Sequence, residues 1–504
     1  MRRYITIILF FTLFINALTL AELKGMPKCR ERDFYIWKFI QDSKTTKKEA
    51  KEAIKLAYSI NYLLKKAYIK KTGAPPPKRK RKRVVSNKER KKYQDIISRL
   101  YKSGNFYDEW LKLPAKDKVK VFNYLGKKRK ILNKNISPQT YKELTKYYAI
   151  NTFIYRVFKE NLTNLKKVII NTPPPVDNKI KYSHLMKIGF IHIKNNNPSL
   201  AASFFQSAIS KAPDRFNADR AIFWSYLASK DKKYLEQVAN SYDFNIYKLS
   251  ALDLLDRPYP IPTPPPLPRE ENSTFDITSP IEWAKLKKKI FSKNVDLLEL
   301  ANKFNTKKTY PHYLYILTKA SNYRNQYFPL IYQEELKEYS TDRKALILAI
   351  AKQESHFIPA SVSRSFALGL MQFMPFLAKH IAKQEKTKIE LEDMFNPKIA
   401  LKFANRHLDY LNRHLYHPLF IAYAYNGGIG YTRKVLRKSN LFRNNSEYEP
   451  YLSMEMLANK ETNKYGKKVL ANYVVYKKLL NDPVKITTLL NQLHQPRLTD
   501  RFRK

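Results

Sequence analysis

Glycine, cysteine and acidic side chains are all scarce in this chain of 504 residues. Its ten glycines are about 2% of the residues, against about 7% in an average protein. This scarcity disfavours sheet folds rich in tight turns and nucleotide-binding loops built on glycine, so a mainly helical protein is expected. The one cysteine, Cys29, cannot form an internal disulfide, and folding therefore does not require an oxidising compartment.

Basic side chains greatly outnumber acidic ones. Lys and Arg number 95 against 43 Asp and Glu, which gives a formal net charge of +52 at pH 7. A charge of this size favours anionic partners. DNA, an anionic membrane and an acidic polysaccharide are all partners of this kind. The length suggests about three domains at about 150 residues each.

The N-terminus has the pattern of an export signal. Arg2 and Arg3 precede an uncharged stretch at 4–21, and Thr19 and Ala21 are small residues suited to cleavage. We therefore predict a signal peptide at 1–21 and a periplasmic protein. The alternative is an N-terminal membrane anchor, because an uncharged run of this length reaches the lower limit for a bilayer span. Export disfavours nucleic acid as the partner and favours the anionic bacterial wall.

Three proline clusters, at 74–77, 172–176 and 257–269, predict extended spacers or boundaries. The first leads into six consecutive basic residues at 78–83, which are interpreted as a solvated linker, with tethering to an acidic wall polymer as the alternative. Between the clusters, Ala201, Phe205 and Ala208 recur at helical spacing before Pro213, and the aromatic-rich segment 217–228 follows. These patterns predict an α-helical array over 90–257.

Half of the glycines lie between 341 and 480, where the backbone must therefore reach unusual conformations or close approaches. In this region Thr341 and Asp342 can open a helix whose stretch 345–351 is apolar on every face. Because Pro359 forces the chain out of the helix, Glu354 is placed at the end of a buried rod. A partly desolvated carboxyl in that position is suited to general acid catalysis.

Further motifs follow Glu354. The segment 369–375 reads GLMQFMP, an amphipathic helix is predicted over 401–415, and Asn426 opens NGGIG, interpreted as a turn that brings backbone close to a ligand. Glu461 and Tyr465 lie one helical turn apart. Three histidines, His407, His414 and His417, lack a metal-binding pattern such as HExxH and are interpreted as surface or packing residues. No metal or other cofactor is expected.

Four ordered blocks resemble the catalytic domain of the soluble lytic transglycosylases, whose fold is similar to goose-type lysozyme. They are AIAKQESHFIPASVS at 349–363, GLMQFMP at 369–375, AYNGG at 424–428 and ETNKYGKKVLANYVVY at 461–476. The resemblance implies an all-α fold, with an N-terminal helical superhelix followed by a lysozyme-like catalytic domain. The expected domains are a signal peptide at 1–21, a basic helical and proline-rich linker region at 22–89, the helical array at 90–257, a proline-rich and helical linker domain at 258–327, the lysozyme-like domain at 328–485 and a basic tail at 486–504.

The resemblance also implies an activity. Glu354 is the single catalytic acid and base, and the remaining expected site residues line the cleft around the sugar: Ser363, Gln372, Tyr425, Asn426, Glu461 and Tyr465. The family cuts the β-1,4 bond between N-acetylmuramic acid and N-acetylglucosamine in peptidoglycan and closes a 1,6-anhydro ring. A mechanism with one carboxylate agrees with the sequence, since Glu354 has no acidic neighbour between Asp342 and Glu385.

One residue departs from the family pattern. Phe366 stands where the family often has glycine, so the loop after Ser363 is expected either to follow another path or to present an aromatic surface to the sugar.

Other functions stay open from the sequence. A muramidase would use the same Glu354 with water as the nucleophile, and a non-catalytic wall-binding scaffold would use only the helical array and the basic linkers. The expected partners are peptidoglycan glycan strands, with unidentified wall- or membrane-associated proteins, and not nucleic acid, because no interleaved aromatic and basic motif accompanies the positive charge.

Overall fold

The protein is described by a computed structural model that covers residues 18–77, 87–438 and 440–503. Every regular element in these ranges is a helix, and the only β-type pairings described there are isolated bridges. The expected all-α fold is therefore confirmed. None of the helices in the described ranges has both the length and the apolar character needed to cross a bilayer.

The chain folds as two compact units, each built from two separate segments of the sequence. The first unit contains the described residues 18–77 together with Pro262–Tyr425, and the second contains 87–261 together with 426–503. The expected domain at 328–485 is thus divided after Tyr425. The predicted domain boundaries remain a prediction, and each unit is described below by itself.

The N-terminal part of the first unit is folded, although this region was expected to be a linker. Phe34 and Trp37 are buried, because the apolar face of their helix packs against other parts of the unit. The basic run at 78–83 lies outside the described residues. The helices here are α1 (Leu20–Gly25), α2 (Arg30–Gln41), α3 (Lys47–Leu56) and α4 (Tyr62–Thr72).

The predicted helical array is present in the second unit, where consecutive helices pack against one another. Ala201, Phe205 and Ala208 are fully buried on one helix, as their spacing predicts, and Phe205 lies between the rings of Phe190 and Trp224 at centroid distances of 5.2 and 5.7 Å. The helices are α5 (Asn87–Lys102), α6 (Phe106–Lys112), α7 (Ala115–Tyr124), α8 (Pro138–Thr145), α9 (Ile150–Lys159), α10 (Thr163–Asn171), α11 (Tyr182–Lys194), α12 (Pro198–Ile209), α13 (Arg215–Ser229), α14 (Lys232–Ala239) and α15 (Ile246–Leu254).

The segment 262–425 completes the first unit. An aromatic-rich core that includes Trp283 and Ile316 also contains Ile358 and Ala360, so the helices expected in a linker domain pack beneath the chain that follows Glu354. The helices are α16 (Pro280–Ile290), α17 (Leu297–Asn302), α18 (Tyr310–Ala320), α19 (Gln333–Leu336), α20 (Thr341–Ser355), α21 (Pro375–Gln384), α22 (Pro397–Asn412) and α23 (Pro418–Gly427), the last of which ends just inside the second unit.

The C-terminal segment was expected to end in a basic tail, and the structure corrects this expectation. Ile486, Leu490 and Leu493 are buried at helical spacing, and Arg503 is buried in an ion pair with Asp500 at 2.8 Å. These apolar contacts outweigh the local positive charge, so residues 486–503 are folded. The helices are α24 (Ile429–Leu436), α25 (Tyr451–Glu455), α26 (Lys460–Leu479), α27 (Ile486–Gln492) and α28 (Pro496–Thr499).

A buried ionic cluster joins the helical array to the C-terminal helices inside the second unit. The Glu455 carboxylate accepts hydrogen bonds from Arg220 Nε at 2.9 Å and Arg220 Nη2 at 2.6 Å, and Lys467 Nζ lies 2.8 Å from its Oε1 atom. The Tyr247 hydroxyl donates to the same oxygen at 2.9 Å. Burial acts to raise the pKa of Glu455, but the charges of Arg220 and Lys467 outweigh it and lower this pKa to about 2.

The cluster predicts a specific dependence of stability on pH. Because the folded-state pKa of Glu455 lies below its usual 4.5, the stabilisation is fully present above about pH 5 and is lost as the pH falls towards 2. At pH 7, Glu455→Gln leaves two buried cations without their carboxylate and should cost about 3–5 kcal/mol of unfolding free energy. We expect the difference between wild type and variant, measured by urea unfolding, to shrink steadily between pH 5 and pH 2.5.

Glu447→Gln provides the matched control, because Glu447 pairs with Lys230 at a site where both side chains are more than half exposed. This variant should stay within about 1 kcal/mol of wild type at each pH. A Glu455→Gln deficit that is equally large at pH 7 and pH 2.5 would contradict the account.

Candidate active site

Glu354 lies in the last turn of α20. The helix begins after Ser340, whose side chain accepts a hydrogen bond from the Arg343 backbone, one residue before the predicted start. Residues 345–351 are all buried, as predicted, and Glu354 itself is half-buried. The helix ends because His356 and Phe357 take left-handed backbone conformations, with φ of 52° and 66°. The carboxyl is therefore held at the end of a rigid, buried helix.

The end of α20 contacts the second predicted motif directly. The Ser355 hydroxyl donates a hydrogen bond to the Leu370 carbonyl oxygen at 2.8 Å, and the Ser355 side chain is buried. This bond fixes the GLMQ segment beside the turn of helix that carries Glu354. The first two motifs predicted from sequence are thus brought together.

The loop 361–373 folds back on itself and holds Ser363 and Gln372. The Ser363 amide donates to the Ala367 carbonyl at 2.9 Å, and its hydroxyl accepts from the Ala367 amide at 2.9 Å. The Gln372 side-chain amide donates to the carbonyl oxygens of Ser361 and Gly369 at 3.1 and 2.8 Å. Both predicted site side chains therefore stabilise the loop on which they lie, and both are half-buried.

Gly369 is required at the centre of this loop for two reasons. Its φ of +76° lies in the left-handed region, and a Cβ atom there would overlap the carbonyl oxygen of Met394. Its amide also donates to the Ser361 carbonyl at 2.8 Å. The close backbone approach expected from the position of this glycine is therefore observed, although it is made to protein backbone.

Phe366 takes a left-handed backbone conformation, which favours glycine. Its φ is +62°, and its side chain is 1% exposed. The ring packs on Phe34 and Trp37 of α2 at centroid distances of 6.1 and 5.6 Å, and Asn61 donates to the neighbouring Arg364 carbonyl at 2.8 Å. The expectation that Phe366 presents an aromatic surface to the sugar is wrong, because the N-terminal helices cover the ring.

Tyr425, near the end of α23, completes the cluster in the first unit. Its hydroxyl donates to the Met371 carbonyl oxygen at 2.9 Å, and its ring lies 5.4 Å from that of His407. Burial, followed by the negative charge of Glu354, holds the pKa of Tyr425 well above its usual 10. Tyr425 is therefore a neutral hydroxyl in the electrostatic range of Glu354.

The remaining predicted site residues belong to the second unit. Asn426 Oδ1 accepts a hydrogen bond from Thr462 Oγ1 at 2.8 Å. Glu461 is exposed in the first turn of α26, whereas Tyr465 is only 5% exposed and packs inside the unit. Asn426 was expected in a turn, but it lies in the last turn of α23, and the break between helices is confined to Gly428 with φ of +84°. Apolar residues preceding Asn426 extend the helix further than the glycines suggested.

The histidines behave as packing residues where the structure describes their contacts. Burial lowers the pKa of His407 to about 4, and its ring packs on Tyr425. His417 is buried, and its Nδ1 atom accepts from the Leu419 amide at 3.1 Å. Among residues 18–77, 87–438 and 440–503, no cluster of three or more His, Cys, Asp or Glu side chains is arranged to hold a metal ion.

Four residues that contribute to the site could not be identified from the sequence. The Met371 carbonyl binds Tyr425, and a backbone acceptor carries no sequence signal. Thr462, which binds Asn426, lies inside the fourth motif and was not singled out. Phe34 and Trp37 belong to an aromatic-rich helix whose partner in the loop could not be found from local spacing.

Comparisons with known proteins find a family match over the part of the chain that contains Glu354. Residues 331–447 match the model of the family described as "Transglycosylase SLT domain". This range contains Glu354 and Tyr425 and ends before Glu461. The chain is also 28% identical over 173 residues to the soluble lytic murein transglycosylase of Escherichia coli strain K12. The resemblance to the soluble lytic transglycosylases is therefore confirmed for the domain that carries Glu354.

The matched segment covers 33% of this chain and 26% of the Escherichia coli relative. Among solved structures, the 70-kDa soluble lytic transglycosylase of Escherichia coli aligns over 94% of this chain and 85% of its own, with 15% identity and a TM-score of 0.48. An inactive mutant of lytic transglycosylase Slt from Pseudomonas aeruginosa aligns over 90% and 74%, with 16% identity and a TM-score of 0.44.

Because the backbone of Phe366 is left-handed, we expect its glycine variant to be more stable than its alanine variant, which is the reverse of the usual order. Phe366→Ala removes the buried ring at a cost of about 3–5 kcal/mol but keeps the unfavourable left-handed backbone. Phe366→Gly loses the same ring but relieves a backbone cost of about 1–2 kcal/mol. We therefore expect the glycine variant to be more stable than the alanine variant by about 1 kcal/mol in urea unfolding.

Ala360→Gly is the control for this order, since Ala360 is buried nearby and is not among the positive-φ residues. There, glycine should be the less stable residue by about 0.4–1 kcal/mol. If Phe366→Ala proves more stable than Phe366→Gly, the left-handed strain inferred for this position is absent.

Proposed function

We propose that this chain is an exported lytic transglycosylase that cleaves the β-1,4 bond between N-acetylmuramic acid and N-acetylglucosamine in peptidoglycan. The observation that carries the proposal is the position of Glu354, a single carboxyl at the end of a buried helix, beside the loop of Gln372 and within the electrostatic range of Tyr425. The SLT domain match and the murein transglycosylase named among the relatives support the same reaction class.

In this proposal Glu354 acts first as an acid and then as a base. It protonates the glycosidic oxygen, and the substrate's own acetamido group stabilises the positive charge at the anomeric carbon. The resulting carboxylate then takes the proton of the muramic 6-hydroxyl, whose oxygen attacks the anomeric carbon and closes the 1,6-anhydro ring. Substrate assistance is the recognised route by which a glycosidase that retains configuration works with one carboxylate.

The other first-unit residues are assigned positioning and binding roles. Gln372 holds the loop through two backbone carbonyls, and Tyr425 holds the Met371 carbonyl beside Glu354, so both keep the acid aligned with the sugar. Ser363 contacts the sugar from the same loop. Precise alignment of this kind lowers the barrier because the reacting groups lose little further freedom in the transition state.

The second-unit residues are also assigned to binding of the glycan. Glu461 is exposed at the start of α26 and takes a binding role, not one in proton transfer. Asn426 is held by Thr462 and presents its amide to the strand. Tyr465 is a minor contributor, because only a small part of this residue is exposed.

We further propose that the protein acts in the periplasm after removal of a signal peptide at 1–21. Residues 1–17 of this segment lie outside the described residues, while Thr19 caps α1 through a reciprocal pair of hydrogen bonds with Glu22. The large excess of positive charge favours association with anionic glycan strands, and retention of the N-terminal segment as a membrane anchor is the alternative.

The role of Glu354 is tested by Glu354→Gln. This variant should fold and still sediment with insoluble peptidoglycan, because the amide keeps the shape of the side chain. Clearing of a peptidoglycan suspension should fall by a factor of about 1,000 or more, equivalent to roughly 4 kcal/mol of barrier. Circular dichroism and co-sedimentation establish folding and binding.

Glu385→Gln is the matched control, because Glu385 pairs with the surface residue Arg406. It should keep activity within about twofold of wild type. If Glu354→Gln keeps more than a few per cent of the wild-type activity, the catalytic role of Glu354 is contradicted. If the wild-type protein does not sediment with peptidoglycan, peptidoglycan is contradicted as the substrate.

A further inference from the structure

A cavity of about 700 Å³ lies within the second unit, between α11, α13 and the start of α26. This volume is within the range of sites that hold a small organic ligand. None of its lining residues belongs to the proposed catalytic site. The cavity is therefore a separate feature with its own chemistry.

The floor of the cavity is formed by the buried cluster of Arg220, Lys467 and Glu455. Two cations share one carboxylate, so the cluster keeps a net charge of +1. The side chains of Lys467 and Glu455 are each only 2% exposed, whereas that of Arg220 is 19% exposed. The excess positive charge is thus held in a poorly solvated setting beside the cavity.

Lysines surround this floor. The lysines that line the cavity are Lys187, Lys194, Lys460 and Lys464. Of these four, only Lys464 forms an ion pair within the described part of the chain, with Asp214 at 2.9 Å. Burial, together with the charges of Lys166 and Lys460, lowers the pKa of Lys187. Because these cations repel one another, an anion placed among them would be favoured.

The walls of the cavity are largely apolar. Met186, Phe190, Phe216 and Leu457 supply this surface, and the Tyr182 hydroxyl lies 3.4 Å from Arg220 Nη1 at the polar end. An inorganic anion would leave these walls uncovered. A ligand that matches both parts has one charged group and a body large enough to cover the apolar side chains.

We propose that this cavity binds a small organic oxyanion, a carboxylate or a phosphate carried on a body of about the size of a sugar. The Nε and Nη2 atoms of Arg220 already bind Glu455, so the oxyanion would be attracted by the excess charge of the cluster and would be bound mainly by the surrounding lysines. A purely structural ion cluster would need only enough positive charge to balance Glu455. The cluster carries one positive charge more than this balance and lies beside a lysine-lined cavity, which favours an anionic ligand.

The proposal is tested by calorimetric titration of the full-length Glu354→Gln protein at low salt. The probes are N-acetylmuramic acid, which bears a carboxylate, glucose 6-phosphate, which bears a phosphate, and N-acetylglucosamine, which is neutral. At least one anionic probe should bind at least tenfold more tightly than the neutral sugar, and its affinity should fall as salt is added. The anionic probe that binds shows whether the cavity prefers a carboxylate or a phosphate.

The variant Lys187→Gln with Lys194→Gln removes two exposed charges from the opening while leaving the buried floor intact, and should weaken this binding at least fivefold. Lys232→Gln with Lys233→Gln removes the same charge from α14, outside the cavity, and should change it less than twofold. Equal affinity for all three probes, no binding of either anion, or equal effects of the two double variants would each overturn the proposal. None of these outcomes depends on cleavage of peptidoglycan.

Discussion

The geometry of the candidate site depends on the loop 361–373 folding back on itself. Gly369 permits this fold, because any side chain there would overlap the Met394 carbonyl. Once the loop is closed, the Leu370 carbonyl is placed to accept from Ser355 and the Met371 carbonyl to accept from Tyr425. The acid at the end of α20 and the hydroxyl on α23 are therefore positioned through two adjacent backbone carbonyls.

The N-terminal helices stabilise the same loop from outside. Phe366 carries a left-handed backbone cost that glycine would avoid, and its burial against Phe34 and Trp37 offsets this cost. The loop is therefore anchored to a part of the chain that precedes the SLT domain match. This arrangement makes α2 a structural component of the site, and it explains how an aromatic residue is tolerated at a backbone conformation that favours glycine.

Charge is used differently in the two units. In the first unit, a neutral Tyr425 lies in the electrostatic range of Glu354 and donates to the Met371 carbonyl, and burial lowers the pKa of His407, whose ring packs on Tyr425. In the second unit, Arg220 and Lys467 share Glu455 beside a lysine-lined cavity. Part of the large positive charge of the chain thus lines a defined cavity and does not belong only to its linkers.

The sequence was sufficient for those elements whose signal is local. The apolar run at 345–351 predicted a buried helix ending near Glu354, and the spacing of Ala201, Phe205 and Ala208 predicted the packed face of α12. Interactions between distant segments could not be predicted in this way, since Asn61 and Arg364 are 303 positions apart. At the C-terminus, the basic residues predicted a tail, whereas the spacing of Ile486 and Leu490 is that of a buried helical face.

The central claim is that Glu354 alone supplies the acid and the base and that the sugar itself supplies the nucleophile. Mass spectrometry of the fragments released from purified peptidoglycan by the wild-type protein tests this claim most directly. The account predicts fragments that end in 1,6-anhydromuramic acid, one water lighter than reducing ends, and their absence with Glu354→Gln. Fragments with reducing ends would contradict it and would identify a hydrolytic muramidase.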